Sequence, residues 1–198
     1  MKYPENIQEV AALQPDYLGF IFYEKSKRYF EEIIPSLPKT IKKVGIFVDV
    51  SIDYVNDKIK RYQLDVIQLH GIESPEFCSE FYNKGIKVIK VFSVGNQFYF
   101  KKLAPYESVV DYFLFDTKGE EKGGNGVTFN WTLLENYPSD KPYFLSGGIG
   151  LESLNSLKKF WQSKAAKNCY ALDVNSRFED YAGMKNIDKL KEFKDNIK

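Results

Sequence analysis

The sequence predicts an α/β fold, a (β/α)8 TIM barrel that lacks its first strand. Seven short apolar segments are spaced along the 198 residues, and polar segments with helical periodicity separate them. Most of the apolar segments are continuous in character instead of alternating, which is typical of parallel strands covered on both faces. Predicted helices outnumber predicted strands by eight to seven, because the chain begins with a helical segment as well as ending with one.

The elements follow in order along the chain. We predict strands at residues 17–22, 43–48, 66–70, 88–92, 112–116, 143–146 and 170–174. We predict helices at residues 4–13, 30–37, 51–61, 75–84, 97–105, 129–136, 151–160 and 187–197. Ser74 followed by Pro75 is a typical helix start, since serine caps the free N–H groups and proline tolerates the first turn.

This alternation leaves two architectures open, a doubly wound open sheet and a closed barrel, because parallel strands need long crossovers. The element count favours the barrel. If every helix follows a strand, a further strand should precede Pro4. We therefore expect a single barrel domain over residues 1–198, truncated at its N-terminus. Two unpaired sheet edges should result, and either association or inward folding of residues 1–3 could cover them.

Charge and composition exclude several classes of function. Lys and Arg number 28 against 27 Asp and Glu. The net charge of +1 therefore lacks the positive excess that is typical of proteins that bind the phosphates of nucleic acid. No apolar run reaches the roughly 20 residues of a membrane span. Cys78 and Cys169 are far apart, which argues against a disulfide scaffold or a metal site. We expect a cytoplasmic protein, monomeric or homodimeric, that binds neither nucleic acid nor membrane.

Two strand ends carry the residues of a possible phosphate site. Ser146-Gly147-Gly148 and Asn175-Ser176-Arg177 follow the last two predicted strands. In barrels the loops at these positions commonly bind phosphate, because glycine lets backbone N–H groups approach the anion. A tight turn is the better explanation of either loop alone, but the pair in this order predicts a phosphorylated ligand.

Other strand ends supply candidate chemistry. Asp116 ends an apolar strand and could act as a general acid, although a capping or ion-paired carboxylate is an equally good interpretation. Arg28 lies in a basic loop where it could bind a substrate carboxylate. His70, the sole histidine, could contact substrate or a neighbouring loop. The glycine-rich segment 119–126 is either a lid or a linker.

Eight short strings together carry a family resemblance. They are LGFIFY from Leu18, SKRY from Ser26, VGIFV from Val44, QLHG from Gln68, FDT from Phe115, GGNG from Gly123, LSGG from Leu145 and LDVNS from Leu172. In this order the strings resemble phosphoribosylanthranilate isomerase, from about Pro4 to the last helix.

The resemblance implies an Amadori rearrangement of N-(5'-phosphoribosyl)anthranilate without metal or cofactor. It makes Asp116 the general acid and Arg28 the residue that holds the anthranilate moiety. It places the phosphate at four residues in two loops: Gly147, Gly148, Asn175 and Ser176. Asp173 matches a supporting aspartate at the end of the last strand, and Arg177 stands where many members carry glycine.

One departure from the family is serious. The family's general base is a cysteine in a Lys-x-Cys-Gly string, expected directly before the residue that matches Met1, and this string is absent. Cys78, in a helix, and Cys169, at the start of a strand, should not replace it. We therefore expect weak or no activity from the 198 residues. The alternatives are a non-catalytic phosphosugar-binding remnant and another phosphate-binding barrel enzyme.

Overall fold

Seven parallel strands form one curved sheet in the computed structural model, which describes residues 1–117 and 129–197. Each strand pairs with its neighbours in chain order. The strands are β1 (Tyr17–Ile21), β2 (Lys42–Phe47), β3 (Val66–Leu69), β4 (Lys87–Val94), β5 (Tyr112–Thr117), β6 (Tyr143–Leu145) and β7 (Cys169–Leu172). This order, with parallel pairing throughout, is that of a barrel wall, and every predicted strand is present.

Helical segments connect most of the strands. The α-helices are α1 (Pro4–Ala12), α2 (Ile52–Tyr62), α3 (Pro75–Tyr82), α4 (Leu154–Trp161) and α5 (Ile187–Asn196). Tighter 3₁₀ turns occupy Phe100–Tyr106, Trp131–Asn136, Leu151–Ser153, Lys164–Asn168 and Ser176–Phe178. A small antiparallel hairpin, β8 (Glu179–Tyr181) and β9 (Met184–Lys185), precedes α5. None of the helices in these ranges is both long and apolar enough to cross a membrane.

Local capping explains where two of the helices begin. The Ser51 side chain accepts a hydrogen bond from the Tyr54 backbone N–H at the start of α2. Ser74 accepts one from Phe77 in the same way, with Pro75 in the first turn of α3. These hydroxyl groups satisfy N–H groups that have no partner inside the helix.

The predicted helix at residues 30–37 is wrong, because the chain between β1 and β2 contains no helix. Pro35 and Pro38 disfavour the helical conformation of the residue before each of them and remove two N–H donors. Phe30 is fully buried and packs on Phe20, with 4.9 Å between ring centroids, which fixes the segment against β1. The eight predicted helices therefore include one, at residues 30–37, that the structure does not contain.

Two predicted helices, at 97–105 and 129–136, form 3₁₀ turns instead of α-helices. Pro105 lies inside the first of them, where it removes one backbone donor. The second is six residues long, and its Asn130 side chain accepts a bond from Thr132 N–H at the start. Short 3₁₀ segments of this kind serve as connectors between strands.

The sheet separates two apolar layers. The inner layer is small and consists of Val44, Val66, Ile89, Val91, Leu114 and Phe144, one or two residues from each of five strands. The outer layer is larger and packs the sheet against the helices. Successive side chains on a strand point to opposite faces, so strands buried on both faces must be apolar throughout.

The two outer strands approach each other without pairing. The hydroxyl oxygens of Tyr17 on β1 and Tyr170 on β7 are 3.2 Å apart, although the described residues form no backbone ladder between these strands. Met1 is buried, and its amino group donates a 2.6 Å hydrogen bond to the Gly19 carbonyl on β1. The first residue thus folds inward against this edge, as one of the sequence-based alternatives anticipates.

Candidate functional site at the carboxyl ends of the strands

Backbone hydrogen bonds align the residues that follow the strands. His70 N–H donates to the Phe47 carbonyl over 2.8 Å, and Ser146 N–H donates to Phe115 over 2.9 Å. Asp173 N–H donates to Leu145 over 2.8 Å. Each residue therefore continues the register of its strand for one more step. His70, Ser146 and Asp173 lie with Asp116 on one rim of the sheet.

Asp116 and His70 face each other across this rim. His70 Nε2 lies 3.3 Å from Asp116 Oδ2, and the two side chains are 32% and 22% exposed. Asp116 pairs with Ser93 in the register of β4 and β5, next to the end of the strand. A carboxyl group and an imidazole at this distance can share or relay a proton while both remain accessible to a ligand.

Asp173 belongs to the same electrostatic cluster. Its pKa is raised, first by burial and then by the negative charge of Asp116, while His70 and Lys185 act in the opposite direction. A negative charge nearby disfavours the ionised form of Asp173. The rim therefore holds two neighbouring carboxyl groups, one of which keeps a proton more readily than an ordinary aspartate.

The glycine pair after β6 has a conformation that other residues rarely adopt. Gly147 has φ of +92° and Gly148 has φ of +69°. A Cβ atom on Gly147 would lie 2.2 Å from Thr117 Oγ1 and 2.4 Å from Thr117 N. Backbone strain and close approach to β5 thus both require glycine here. The absence of side chains leaves the backbone of this loop open to an anion.

The loop after β7 is fixed by a lysine. Lys185 Nζ donates to the Asn175 carbonyl over 3.2 Å and also to Asn175 Oδ1. Ser176 begins a 3₁₀ turn directly afterwards. Arg177 Nε lies 3.2 Å from Glu152 Oε1, so an ion pair joins this loop to the one that carries the glycine pair.

Arg28 is engaged by a partner that the sequence did not reveal. Its Nε donates to both Glu179 oxygens over 3.0 and 2.9 Å, and its Nη2 donates to Glu179 Oε2 over 2.6 Å. Nη1 has no hydrogen-bond partner among residues 1–117 and 129–197. The guanidinium group therefore keeps one donor edge for a ligand.

Sequence reasoning missed the buried charged residues Glu179, Lys185, Glu73 and Lys90. Lys90 leaves a detectable signal, a lone charge inside the apolar strand Val88-Ile89-Lys90-Val91. The Glu179 pair leaves none, because Arg28 lies 151 positions away from it in the chain. The glycine-rich segment 119–126 lies outside the described residues.

The cysteines lie away from the rim. Cys78 is fully buried in α3, and burial raises the pKa of its thiol to about 12. Cys169 begins β7, at the opposite end of the strand from Asp173, and burial raises its pKa to about 12 as well. Across the parts of the chain that the structure describes, no three His, Cys, Asp or Glu residues are grouped to hold a metal ion.

Fold and rim together define an α/β protein of the (β/α)8-barrel class, with its polar side chains at the carboxyl ends of parallel strands. The family model described as N-(5'phosphoribosyl)anthranilate (PRA) isomerase matches residues 1–196. The chain belongs to this family.

Individual relatives agree with this assignment. The N-(5'-phosphoribosyl)anthranilate isomerase of Parabacteroides distasonis is 43% identical over 199 residues, which cover 98% of this chain and 88% of the relative. The crystal structure of phosphoribosyl anthranilate isomerase from Thermotoga maritima has a TM-score of 0.82 at 32% identity, covering 100% of this chain and 95% of that one. A further isomerase structure, in complex with reduced 1-(o-carboxyphenylamino)-1-deoxyribulose 5-phosphate, has a TM-score of 0.78 at 28% identity and covers 100% and 94%.

Proposed function

We propose that the rim of this chain carries out the isomerisation of N-(5'-phosphoribosyl)anthranilate to 1-(2-carboxyphenylamino)-1-deoxyribulose 5-phosphate, a reaction of a soluble phosphorylated substrate in the cytoplasm. The observation that carries the proposal is the contact of 3.3 Å between Asp116 and His70, beside a glycine loop on the next strand. Membership of the isomerase family supports the same reaction.

The substrate has an anion at each end, and the site offers a group for each. The phosphate would lie against the backbone of Gly147 and Gly148 and the turn at Asn175 and Ser176. The anthranilate carboxylate would accept hydrogen bonds from the open edge of Arg28. A charge-assisted bond from a guanidinium is well suited to a planar carboxylate.

Asp116 would act between these ends as the general acid. It would donate a proton to the ribose ring oxygen as the C1–O bond breaks, and the nitrogen lone pair would form the Schiff base. His70 would hold the carboxyl in place, and Asp173 would lie beside it as the second carboxyl group of the rim. The second half of the reaction needs a base that removes the proton from C2 of the opened sugar.

No cysteine of the 198 residues can supply this base from the positions described above. Cys78 lies outside the sheet, and Cys169 lies at the far end of a strand. We propose that these 198 residues supply the acid and the anion-binding groups of the reaction but, without an added base, convert the substrate slowly or not at all. Loss of a general base typically costs about 10²–10⁴-fold in rate. The second candidate is a phosphosugar-binding protein without turnover.

Two chains test the proposal. One is the 198-residue chain, and the other carries an added Lys-x-Cys-Gly strand before Met1. Substrate conversion, followed by chromatography, should be fast only in the extended chain and should fall by roughly 10²–10⁴-fold with Asp116→Asn in that chain. Asp111→Asn, at the opposite end of β5, is the matched control and should leave conversion unchanged.

The outcomes separate the candidates. Binding of the reduced product without conversion by either chain would favour the non-catalytic reading. Full conversion by the 198-residue chain would contradict the assigned need for a cysteine base. Conversion that is insensitive to Asp116→Asn would remove Asp116 as the acid.

A further inference from the structure

A buried pair of opposite charges lies behind the rim. Lys185 Nζ is 2.8 Å from Glu179 Oε1, and the two side chains are 7% and 4% exposed. The backbone around Lys185 is fixed as well, because Asn6 of α1 accepts from Lys185 N–H over 2.7 Å and donates to its carbonyl over 2.9 Å. Removing two charges from water costs free energy, and the attraction between them usually offsets only part of that cost.

This pair touches both ends of the proposed substrate site. On one side Glu179 accepts three hydrogen bonds from Arg28, at 2.6 to 3.0 Å. On the other side Lys185 donates to the carbonyl and the side chain of Asn175. The order of contacts is therefore Arg28, Glu179, Lys185, Asn175, a continuous hydrogen-bonded chain from the loop after β1 to the loop after β7.

We propose that Glu179 and Lys185 are positioning residues that hold the two anion-binding ends of the substrate site at a fixed separation. This inference rests on the proposed function. Glu179 orients Arg28 so that Nη1 faces the carboxylate of the substrate. Lys185 fixes the Asn175 turn that receives the phosphate. Neither residue touches the ligand, and each acts through the residue that it holds.

The geometry of Arg28 supports this role for Glu179. An arginine side chain has four rotatable bonds, and a lone surface arginine samples many orientations at a cost in affinity. Here a two-pronged contact with a buried carboxylate fixes the guanidinium plane. A preorganised donor loses less conformational entropy when the ligand binds, so the pair should contribute to affinity at the carboxylate end.

A calorimetric titration of the 198-residue chain with reduced 1-(o-carboxyphenylamino)-1-deoxyribulose 5-phosphate tests the proposal without requiring turnover. Glu179→Gln keeps the shape and removes the charge. We expect it to weaken binding of the analogue roughly tenfold, as one charge-assisted positioning contact is lost. Anthranilate and inorganic phosphate, used as separate competitors, report on the two ends of the site.

The competitors distinguish positioning from a general loss of structure. Glu179→Gln should weaken competition by anthranilate more than competition by phosphate, whereas Lys185→Met should weaken competition by phosphate more. Glu179→Gln combined with Arg28→Gln should bind no more weakly than Arg28→Gln alone, because Glu179 acts through Arg28. Asp111→Asn removes the charge from a more exposed contact with Lys87 at the opposite rim, and it should change competition by neither anthranilate nor phosphate.

The proposal is overturned if Glu179→Gln binds the analogue as the unchanged chain does, or if its effect simply adds to that of Arg28→Gln. Should Glu179→Gln fail to fold, Glu179→Asp decides, because it keeps the charge but withdraws it from Arg28 by one methylene. The same selective loss at the anthranilate end is then expected. If the unchanged chain does not bind the analogue at all, the proposed function fails and the inference fails with it.

Discussion

Lys90 Nζ lies 2.9 Å from Glu73 Oε2, and both side chains are only 3% exposed. The pair holds the loop that follows His70. Lys90 also donates to the carbonyl groups of Leu69 and Gly71, while Glu73 accepts from the backbone of Gly71 and Asp49. The buried pair of Lys90 and Glu73 thus fixes the position of His70 at the end of β3.

Removing one partner of this pair should be costly. Glu73→Gln leaves the Lys90 ammonium group buried without a countercharge, and we expect a loss of about 3–5 kcal/mol in the free energy of unfolding. Urea denaturation measures this loss. Lys87→Gln is the matched control on the same strand, because Lys87 is 60% exposed in its pair with Asp111 and should cost about 0–1 kcal/mol. Equal effects of the two substitutions would contradict the account.

A methyl group at Gly147 should disrupt the candidate phosphate loop. Gly147→Ala forces the Cβ atom into Thr117 at a backbone angle that non-glycine residues rarely adopt. We expect weaker competition by inorganic phosphate, by about tenfold or more, together with reduced stability.

Gly85 provides the control for backbone strain alone. It also has a positive φ, +78°, but an added Cβ would meet no atom within 4 Å. Gly85→Ala should cost about 1–2 kcal/mol and leave phosphate binding unchanged. Phosphate binding that survives Gly147→Ala would place the anion elsewhere.

All seven strands and five of the eight predicted helices could be read from the sequence, whereas the connections after β1, β4 and β5 could not. Strands such as β5 are continuous apolar runs bounded by polar residues, so local composition is sufficient to find them. The helix predicted at 30–37 failed because Pro35 and Pro38 outweigh a weak apolar periodicity. The packing of Phe30 against β1 depends on tertiary contacts, which the periodicity of the sequence does not describe.

The candidate site divides in the same way. Asp116, His70 and the glycine pair could be located because strand ends meet on one rim of a parallel sheet. The contact of Arg28 with Glu179 could not, since residues far apart in the chain leave no local pattern. The described residues show the resulting ion pair, and its effect on the site stays a prediction.

The acid stability of the chain should depend on Glu179. Burial alone would raise the pKa of this carboxyl, but the Arg28 guanidinium and the Lys185 ammonium outweigh burial and lower the pKa from 4.5 to about 2. A carboxyl with a lowered pKa stabilises the fold above its unfolded pKa, and this stability is lost as the pH falls from about 5 to about 2.

Comparison of the unchanged chain with Glu179→Gln isolates this contribution. The difference in their free energies of unfolding should be largest near pH 7 and should shrink towards pH 3. The raised pKa of Asp173 has the opposite sign, but it is present in both chains and largely cancels. Glu80→Gln, which removes an exposed carboxyl 3.8 Å from Lys84, should show little change with pH. A difference that stays constant from pH 7 to pH 3 would contradict the assignment.

Neither cysteine should behave as a catalytic base. Burial raises the pKa of both thiols to about 12, so almost no thiolate exists at neutral pH. Iodoacetamide should leave Cys78 and Cys169 unmodified in the folded chain and modify both in urea.

In the extended chain with the added cysteine, Cys78→Ala and Cys169→Ala should keep turnover within about twofold, since only the added thiol takes part. A loss of turnover comparable to that of Asp116→Asn would assign one of them a role at the site.

The most direct measurement is a crystal structure of the 198-residue chain with reduced 1-(o-carboxyphenylamino)-1-deoxyribulose 5-phosphate. We predict that the phosphate contacts Gly147, Gly148 and the Asn175 turn, that the carboxylate accepts from Arg28 Nη1, and that the carboxyl of Asp116 faces the sugar between them. An analogue bound at the other end of the strands, or one whose phosphate and carboxylate both avoid these groups, would contradict a single site formed by the strand ends.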